Sequence, residues 1–176
     1  EQIKIVITGD EYLKAITLSE SDRLARSAFQ SMVLRVAKPG SAIFDFGCGP
    51  GIDAKFYAAQ GHRVAAYDSD AAMCDTFTRY CRRELELQQV QLYRGEYRQF
   101  LAAKMLAPDY QADIITANFA PFSLIDNPNE LFAAFYGLTK PRGKILVSVL
   151  NPYFVGDMRY IWWWRNRAAL LSNGYF

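Results

Sequence analysis

The stretch "FDFGCGPG" at residues 44–51 constrains this chain more than any other. A short aromatic run with an acid inside it, Asp45, leads straight into glycines at 47, 49 and 51. A strand that turns at once into a helix needs backbone angles that a Cβ obstructs, and glycine supplies them. Bare main chain also lets a ligand come close, and the helix after the turn aims its free N–H groups at the same place. The turn is therefore suited to an anion, a carboxylate or a polar nucleoside group. A tight turn with no ligand is the alternative, and three alternate glycines directly after the strand weigh against it.

The surrounding pattern supplies the frame. Strands are expected at 41–46, 63–68, 90–95, 112–118 and 144–151, the fourth and fifth nearly continuous in Ile, Leu and Val. Helices are expected between them, over 52–60, 70–87, 97–106 and 128–138, with Pro141-Arg142-Gly143 as a turn before the fifth strand. One long helix over 12–37 precedes them, with Thr17 and Glu20 at capping-box spacing. Its Leu24, Ala28, Phe29, Met32, Val33 and Val36 are read as the buried face, and Arg23, Arg26, Gln30 and Arg35 as the solvent face. In the helix after strand two, Met73, Phe77, Tyr80 and Cys81 are read as inward. Alternating strands and helices imply an α/β fold: a doubly wound, mostly parallel sheet with helices on both faces. Such sheets bind ligands at the carboxyl ends of their strands. That edge holds Asp45–Gly51, Asp68, Gly95–Tyr97, Asn118–Phe122 and Asn151–Phe154.

Two further signals lie on this edge. Asp68 ends strand two in "AAYDSD", where a carboxylate can accept both hydrogen bonds of a ribose diol. It could instead cap the next helix, but Ser69 or Asp70 can do that and leave it free. In "RGEYRQF", Glu96 can accept from an adenine amino group and Tyr97 can pack on the ring. Two familiar phosphate cradles do not fit. A G-x-G-x-x-G dinucleotide fingerprint would place its third glycine at position 52, which is Ile52, and no Gly-Lys-Ser/Thr follows the turn.

Together these segments resemble the class I S-adenosylmethionine-dependent methyltransferase family. "FDFGCGPG" is similar to its first glycine motif, "YDSD" with Met73 to its ribose-holding acid, "GEY" to its adenine contact, and "ADIITANFAP" and "PRGKILVSV" to its fourth and fifth strand segments. The resemblance implies methyl transfer from S-adenosylmethionine, leaving S-adenosylhomocysteine, to a small-molecule acceptor by in-line displacement. It implies a cofactor site made of Asp45, Phe46, Gly47, Cys48, Gly49, Gly51, Asp68, Ser69, Met73, Glu96, Tyr97, Asn118 and Phe119. The family sheet has seven strands, and strands six and seven are not legible before Phe176, so the sheet is expected to lack them or to be truncated there. A binding module without catalysis and an NAD-dependent oxidoreductase remain the alternatives, the second disfavoured by Ile52. "NFAPF" departs from the paired-proline motif of the amino methyltransferases that act on nucleic acid or glutamine, so that chemistry is not carried over.

The remaining features bound the organisation. A chain of 176 residues can bury one core, and the expected parts are a helical segment over 1–40, an α/β core over 41–151 and an aromatic, basic tail over 152–176. A net charge of +2 and the lack of a basic stripe argue against a nucleic-acid partner. Three cysteines, with Cys74 and Cys81 roughly 10 Å apart along one helix, do not form a disulfide framework and point to a reduced, cytoplasmic setting. No metal-ligand spacing occurs. His62, the sole histidine, precedes strand two and is expected in a surface turn far from the ligand edge; Asp126, Tyr153 and Asp157 do not stand out as bases. "MRYIWWWRNRAALL" at 158–171 keeps three readings open: a lid over the substrate, a membrane-surface segment, or a helix packing on further sequence or a second subunit.

Overall fold

The computed structural model describes residues 8–102, 110–119, 121, 125, 127–149 and 164–165. Among these, five strands form one wholly parallel sheet: β1 (Ala42–Phe46), β2 (Arg63–Asp68), β3 (Val90–Arg94), β4 (Ala112–Ala117) and β5 (Thr139–Val147), in the spatial order β3-β2-β1-β4-β5. The chain walks from β1 outward to β3 and then crosses back to place β4 on the other side of β1. The strand order therefore reverses between β1 and β4, where a crevice must open at the carboxyl edge. The doubly wound parallel frame is as the sequence implies.

Strand alternation sorts the sheet into two cores. Phe44 and Phe46 of β1, Ala65 and Tyr67 of β2, and Ile115 and Ala117 of β4 pack on α6 (Tyr97–Leu101) and α7 (Pro128–Leu138). Here Phe100 stacks on Tyr67 at 4.7 Å between ring centroids and lies 5.2 Å from Phe46. The opposite parity, with Ile43, Val64, Ala66 and Ile114, packs under α2 (Glu20–Val36), α3 (Ile52–Ala59) and α4 (Ala71–Tyr80). Asp45 and Thr116 share this parity, and the register pairs them across β1 and β4. An acid is thus carried beneath α3 by the alternation that buries its aliphatic neighbours.

The helical segments differ from expectation in several places. The helix expected over 12–37 is two: α1 (Gly9–Leu18) and α2, parted at the extended Ser19. The capping box is Thr8 with Glu11, Ser19 caps α2, and the Thr17 hydroxyl bonds back to the Leu13 carbonyl. On α2, Phe29 and Val33 are buried as expected, but Leu24, Ala28, Met32 and Val36 face solvent while Gln30 is buried. The inward face is rotated because Gln30 and Arg26 find a carboxylate on α3, described below. The helix expected over 70–87 is likewise divided into α4 and α5 (Arg82–Glu86) at Cys81. Phe77 and Cys81 are buried, whereas Tyr80 lies at the surface. Helix α6 ends at Leu101, and residues 103–109 lie outside the described residues. β5 starts at Thr139, before the expected turn: 139–143 form an irregular opening with Arg142 at φ +67°, and regular pairing resumes at Lys144. Among the described residues β5 is the edge strand of the sheet, where polar side chains are tolerated. His62 is buried rather than in a surface turn. Asp126, Phe122, Asn151, Tyr153, Asp157 and the tail reading, apart from residues 164 and 165, lie outside the described residues.

Candidate functional site

A cleft of about 480 Å³ opens at the carboxyl edge, where the strand order reverses. Its floor is the glycine turn. Gly51 is forced: it stands at φ +91°, and a Cβ there would meet Phe77 and Cys81 at 2.6 Å. Gly49 is different, for a Cβ on it would reach open cleft, with Tyr12 its nearest neighbour at 4.0 Å. Gly51 therefore lets the turn pack on α4, and Gly49 keeps the floor bare.

Asp68 holds that floor. One carboxylate oxygen accepts from the Gly49 N–H at 2.7 Å and the other from the Asp70 N–H at 2.9 Å. Asp70, not Asp68, caps α4 by accepting from the Met73 N–H. Each Asp68 oxygen retains a lone pair. Burial raises its pKa, and the backbone N–H groups of Asp70 and Gly49 oppose that shift. Ser69 and Met73 line the cleft beside it.

Asp45 lies deeper, 2% exposed. One of its oxygens accepts from the Thr116 hydroxyl at 2.9 Å, and the other has no partner. Burial, and then the negative charge of Asp53, push its pKa up to about 8. Asp53 is well served by contrast: Arg26 ion-pairs with it, Gln30 donates at 2.7 Å and Asn118 donates at 3.0 Å. The Arg26 guanidinium also sits 4.3 Å over the Phe119 ring. Phe119 takes a left-handed backbone conformation (φ +60°), its N–H bound by Asn118 and by Ser148 at 2.8 Å. Left-handed conformations are costly for a residue with a Cβ, so this one is imposed by its surroundings. Arg26, Asp53, Asn118 and Ser148 together tie α2, α3 and the ends of β4 and β5 into one wall.

Of the residues singled out in the sequence, Asp45, Phe46, Gly47, Cys48, Gly49, Asp68, Ser69, Met73, Tyr97, Asn118 and Phe119 line this single cleft. Gly51 lies behind it, in the turn, and Glu96 is exposed at the start of α6 and does not line it. Sequence reasoning missed Tyr12, Arg26, Asp53 and Tyr67, which also line it. Asp53 carried one signal, an acid in the first turn of the helix leaving the glycines; Arg26 and Tyr12 carried none. Helix α1 brings Tyr12 to the cleft by packing on α4, where Asp10 binds Arg79 at 2.8 Å and accepts from Thr76 at 3.1 Å. Burial holds the Cys48 thiol far above its ordinary pKa, so it is no nucleophile at neutral pH. Among the described residues no three His, Cys, Asp or Glu side chains could hold a metal ion. No described helix is long and apolar enough to cross a membrane.

A parallel sheet with a glycine turn and an acid after strand two defines a nucleoside-binding α/β protein. Comparison with known proteins narrows this. Residues 19–173 match the family described as "Methyltransferase domain", and the chain belongs to the class I S-adenosylmethionine-dependent methyltransferase family. It is 31% identical over 123 residues to the ubiquinone biosynthesis O-methyltransferase of Pseudomonas putida (strain W619), a match covering 66% of this chain and 47% of that protein. The chain therefore spans about half the length of this curated relative. Its fold is similar to a TehB-like SAM-dependent methyltransferase from Corynebacterium glutamicum (TM-score 0.60, 16% identity, 86% of this chain and 78% of that one). It is similar also to the glycopeptide N-methyltransferase MtfA complexed with S-adenosyl-L-methionine (TM-score 0.57, 16% identity, 70% and 53%).

Proposed function

We propose that the cleft binds S-adenosylmethionine and that the protein transfers its methyl group to a small-molecule acceptor. The observation that carries this reading is the convergence in one cleft of the bare glycine floor, the Asp68 carboxylate and the Tyr97 ring. The residues fit the ligand. The unpartnered Asp45 oxygen calls for a buried hydrogen-bond donor, which the aminoacyl ammonium has. The spare lone pairs of Asp68 suit a ribose diol, and Phe46, Met73 and Tyr97 offer apolar surface to a purine. Gly51 and Glu96, named from the resemblance, are assigned lesser parts: Gly51 shapes the turn, and Glu96 reaches a ligand only from the rim.

S-adenosylmethionine, when bound, supplies a methyl group on a positively charged sulfur, a good leaving group. The protein's work is then to orient and to exclude water, effects worth roughly 7–11 kcal/mol. Asp45 fixes the aminoacyl end of the ligand and Asp68 its ribose, and the wall built on Asp53 holds Phe119 beside them. The acceptor class follows the curated relative, named as an O-methyltransferase of ubiquinone biosynthesis. The three cysteines, buried and unpaired, favour a reducing compartment such as the cytoplasm.

Calorimetry with S-adenosylhomocysteine, with NAD as comparator, tests the reading. Micromolar binding of the first and none of the second is expected. NAD binding alone would overturn it, and S-adenosylhomocysteine binding without turnover across phenol, carboxylate and amine acceptors would reduce the protein to a binding module.

A further inference from the structure

Two buried carboxylates, Asp45 on β1 and Asp53 in the first turn of α3, feel each other's charge and are unequally provided for. Arg26, Gln30 and Asn118 all donate to Asp53, so the one guanidinium lining the cleft among the described residues is committed there. Asp45 receives a single hydroxyl, from Thr116, on one oxygen only. Among the described residues, the groups facing it from the other elements bring no full compensating charge. Asp53 on α3 and Asp68 on β2 are negative and disfavour its ionisation, and Arg26 on α2 opposes them only in part. Cys48 in the turn stays a neutral thiol. Tyr57 on α3 stays a neutral phenol, its hydroxyl buried without a partner. An ionised carboxylate in this position is a buried charge with no ion-pair partner among the described residues, which proteins avoid by keeping the proton.

Asp45 also lines the cleft. We propose that docking of a ligand's primary ammonium group at Asp45 expels the proton that the buried carboxyl holds in the free protein, so that one proton is released per aminoacyl ligand bound. The inference rests on the reading of the cleft as an S-adenosylmethionine site. The balance is simple: a neutral carboxylic acid and an ammonium become a carboxylate–ammonium pair, and the proton leaves to the buffer. No bond to carbon forms or breaks. The rise of the Asp45 pKa to about 8 places the exchange in the neutral range, where affinity then climbs with pH until the free carboxyl is itself ionised.

The test is calorimetric titration of the full chain in two buffers of different ionisation enthalpy between pH 6 and 8. S-adenosylhomocysteine should release close to one proton per molecule at pH 6.5, and its affinity should rise about tenfold per pH unit between 6 and 7 before flattening near 8. 5′-Methylthioadenosine has the same nucleoside and no ammonium; it should release none, and any proton contributed by His62 would appear with it equally. Asp45→Asn, which copies the protonated side chain and should fold, is expected to bind S-adenosylhomocysteine without proton release and with an affinity independent of pH. Binding of S-adenosylhomocysteine with no proton released overturns the proposal and leaves the cleft's function standing. Release that persists in Asp45→Asn overturns the assignment to Asp45. Failure of both nucleosides to bind overturns the function and the proposal together.

Discussion

Two cavities of similar size open on opposite edges of the sheet, about 480 Å³ at the carboxyl edge and about 410 Å³ at the amino edge. Volume does not separate them; the state of their polar groups does. The amino-edge groove is lined by Arg63, four glutamines and Lys140, and its neighbouring acid, Asp113, is fully employed, accepting from the Ala42 N–H at 2.8 Å and from Lys140 at 2.9 Å. Left-handed backbone occurs in both, at Phe119 in the cleft and at Gln88 in the groove, and does not separate them. The carboxyl-edge cleft contains a buried carboxylate oxygen without a partner and glycine backbone in its floor. Costs of this kind persist only where the surroundings impose them, and they gather at sites built for something outside the chain.

The sharpest way to break the comparison is through glycine. Gly51 at the carboxyl edge and Gly61 at the amino edge both have positive φ, +91° and +82°, but a Cβ on Gly51 would strike Phe77 and Cys81 at 2.6 Å while one on Gly61 meets nothing within 4 Å. Alanine at either site bears the left-handed penalty of roughly 1–2 kcal/mol. At Gly51 a further overpacking cost of about 1–3 kcal/mol adds to it. Urea unfolding should show the larger loss for Gly51→Ala. Equal losses would mean that the turn is not pinned against α4.

Ligand binding offers the next test. Asp68→Ala removes the acceptor from the cleft and frees the Gly49 N–H, and should weaken S-adenosylhomocysteine binding by about 1–3 kcal/mol. Asp113→Ala, at the opposite edge, should leave that affinity unchanged. A similar loss from both would show that the effect travels through general stability rather than through contact.

The pH dependence of folding sets the edges against each other in sign. The Asp45 pKa is raised from 3.8 to about 8, so between those values the folded state holds a proton that the unfolded chain has lost. Its contribution to stability therefore falls as pH rises from about 4 to about 8. Asp45→Asn should remove that decline and be more stable than the parent at pH 8, by roughly 1–3 kcal/mol, the penalty of a buried unsatisfied group. Thermal unfolding at pH 5 and pH 8 reads the difference, and a variant less stable at pH 8 would show that the Asp45 charge is satisfied.

Much of this was legible in the chain, and the reasons are local. β1, β2 and β4 are short apolar runs bounded by glycine, proline or acid, and α3 and α7 start at marked turns, so their bounds came close to those observed. The glycine turn and Asp68 announced the cleft because their chemistry is unusual for their positions. What was not legible depends on partners remote in sequence. Gln30 and Arg26 read as a solvent face because Asp53, which draws them inward, lies 23 and 27 residues away. The capping-box spacing of Thr17 and Glu20 signals a helix start inside the first helical run, but the residue that caps the second helix is Ser19, two positions on. Polar Lys140 and Arg142 read as a turn, because nothing in the sequence marks β5 as the edge of the described sheet, where such side chains are tolerated.

The smallest effect belongs to the amino edge. Burial alone would raise the Asp113 pKa, but the Ala42 N–H and Lys140 outweigh it and hold it below its ordinary value. A lowered carboxylate pKa contributes stability that is present above 3.8 and is lost as pH falls through the folded value. Asp113 thus weakens the fold on acidification, while Asp45 weakens it on the way to alkaline pH. Lys140→Ala removes one partner of a half-exposed pair, worth roughly 0.2–1 kcal/mol and screened by salt. Unfolding at pH 7 in low and high salt should show a small loss that shrinks as salt rises. A loss that ignores salt would mean that the lysine acts by packing its aliphatic stem rather than by its charge.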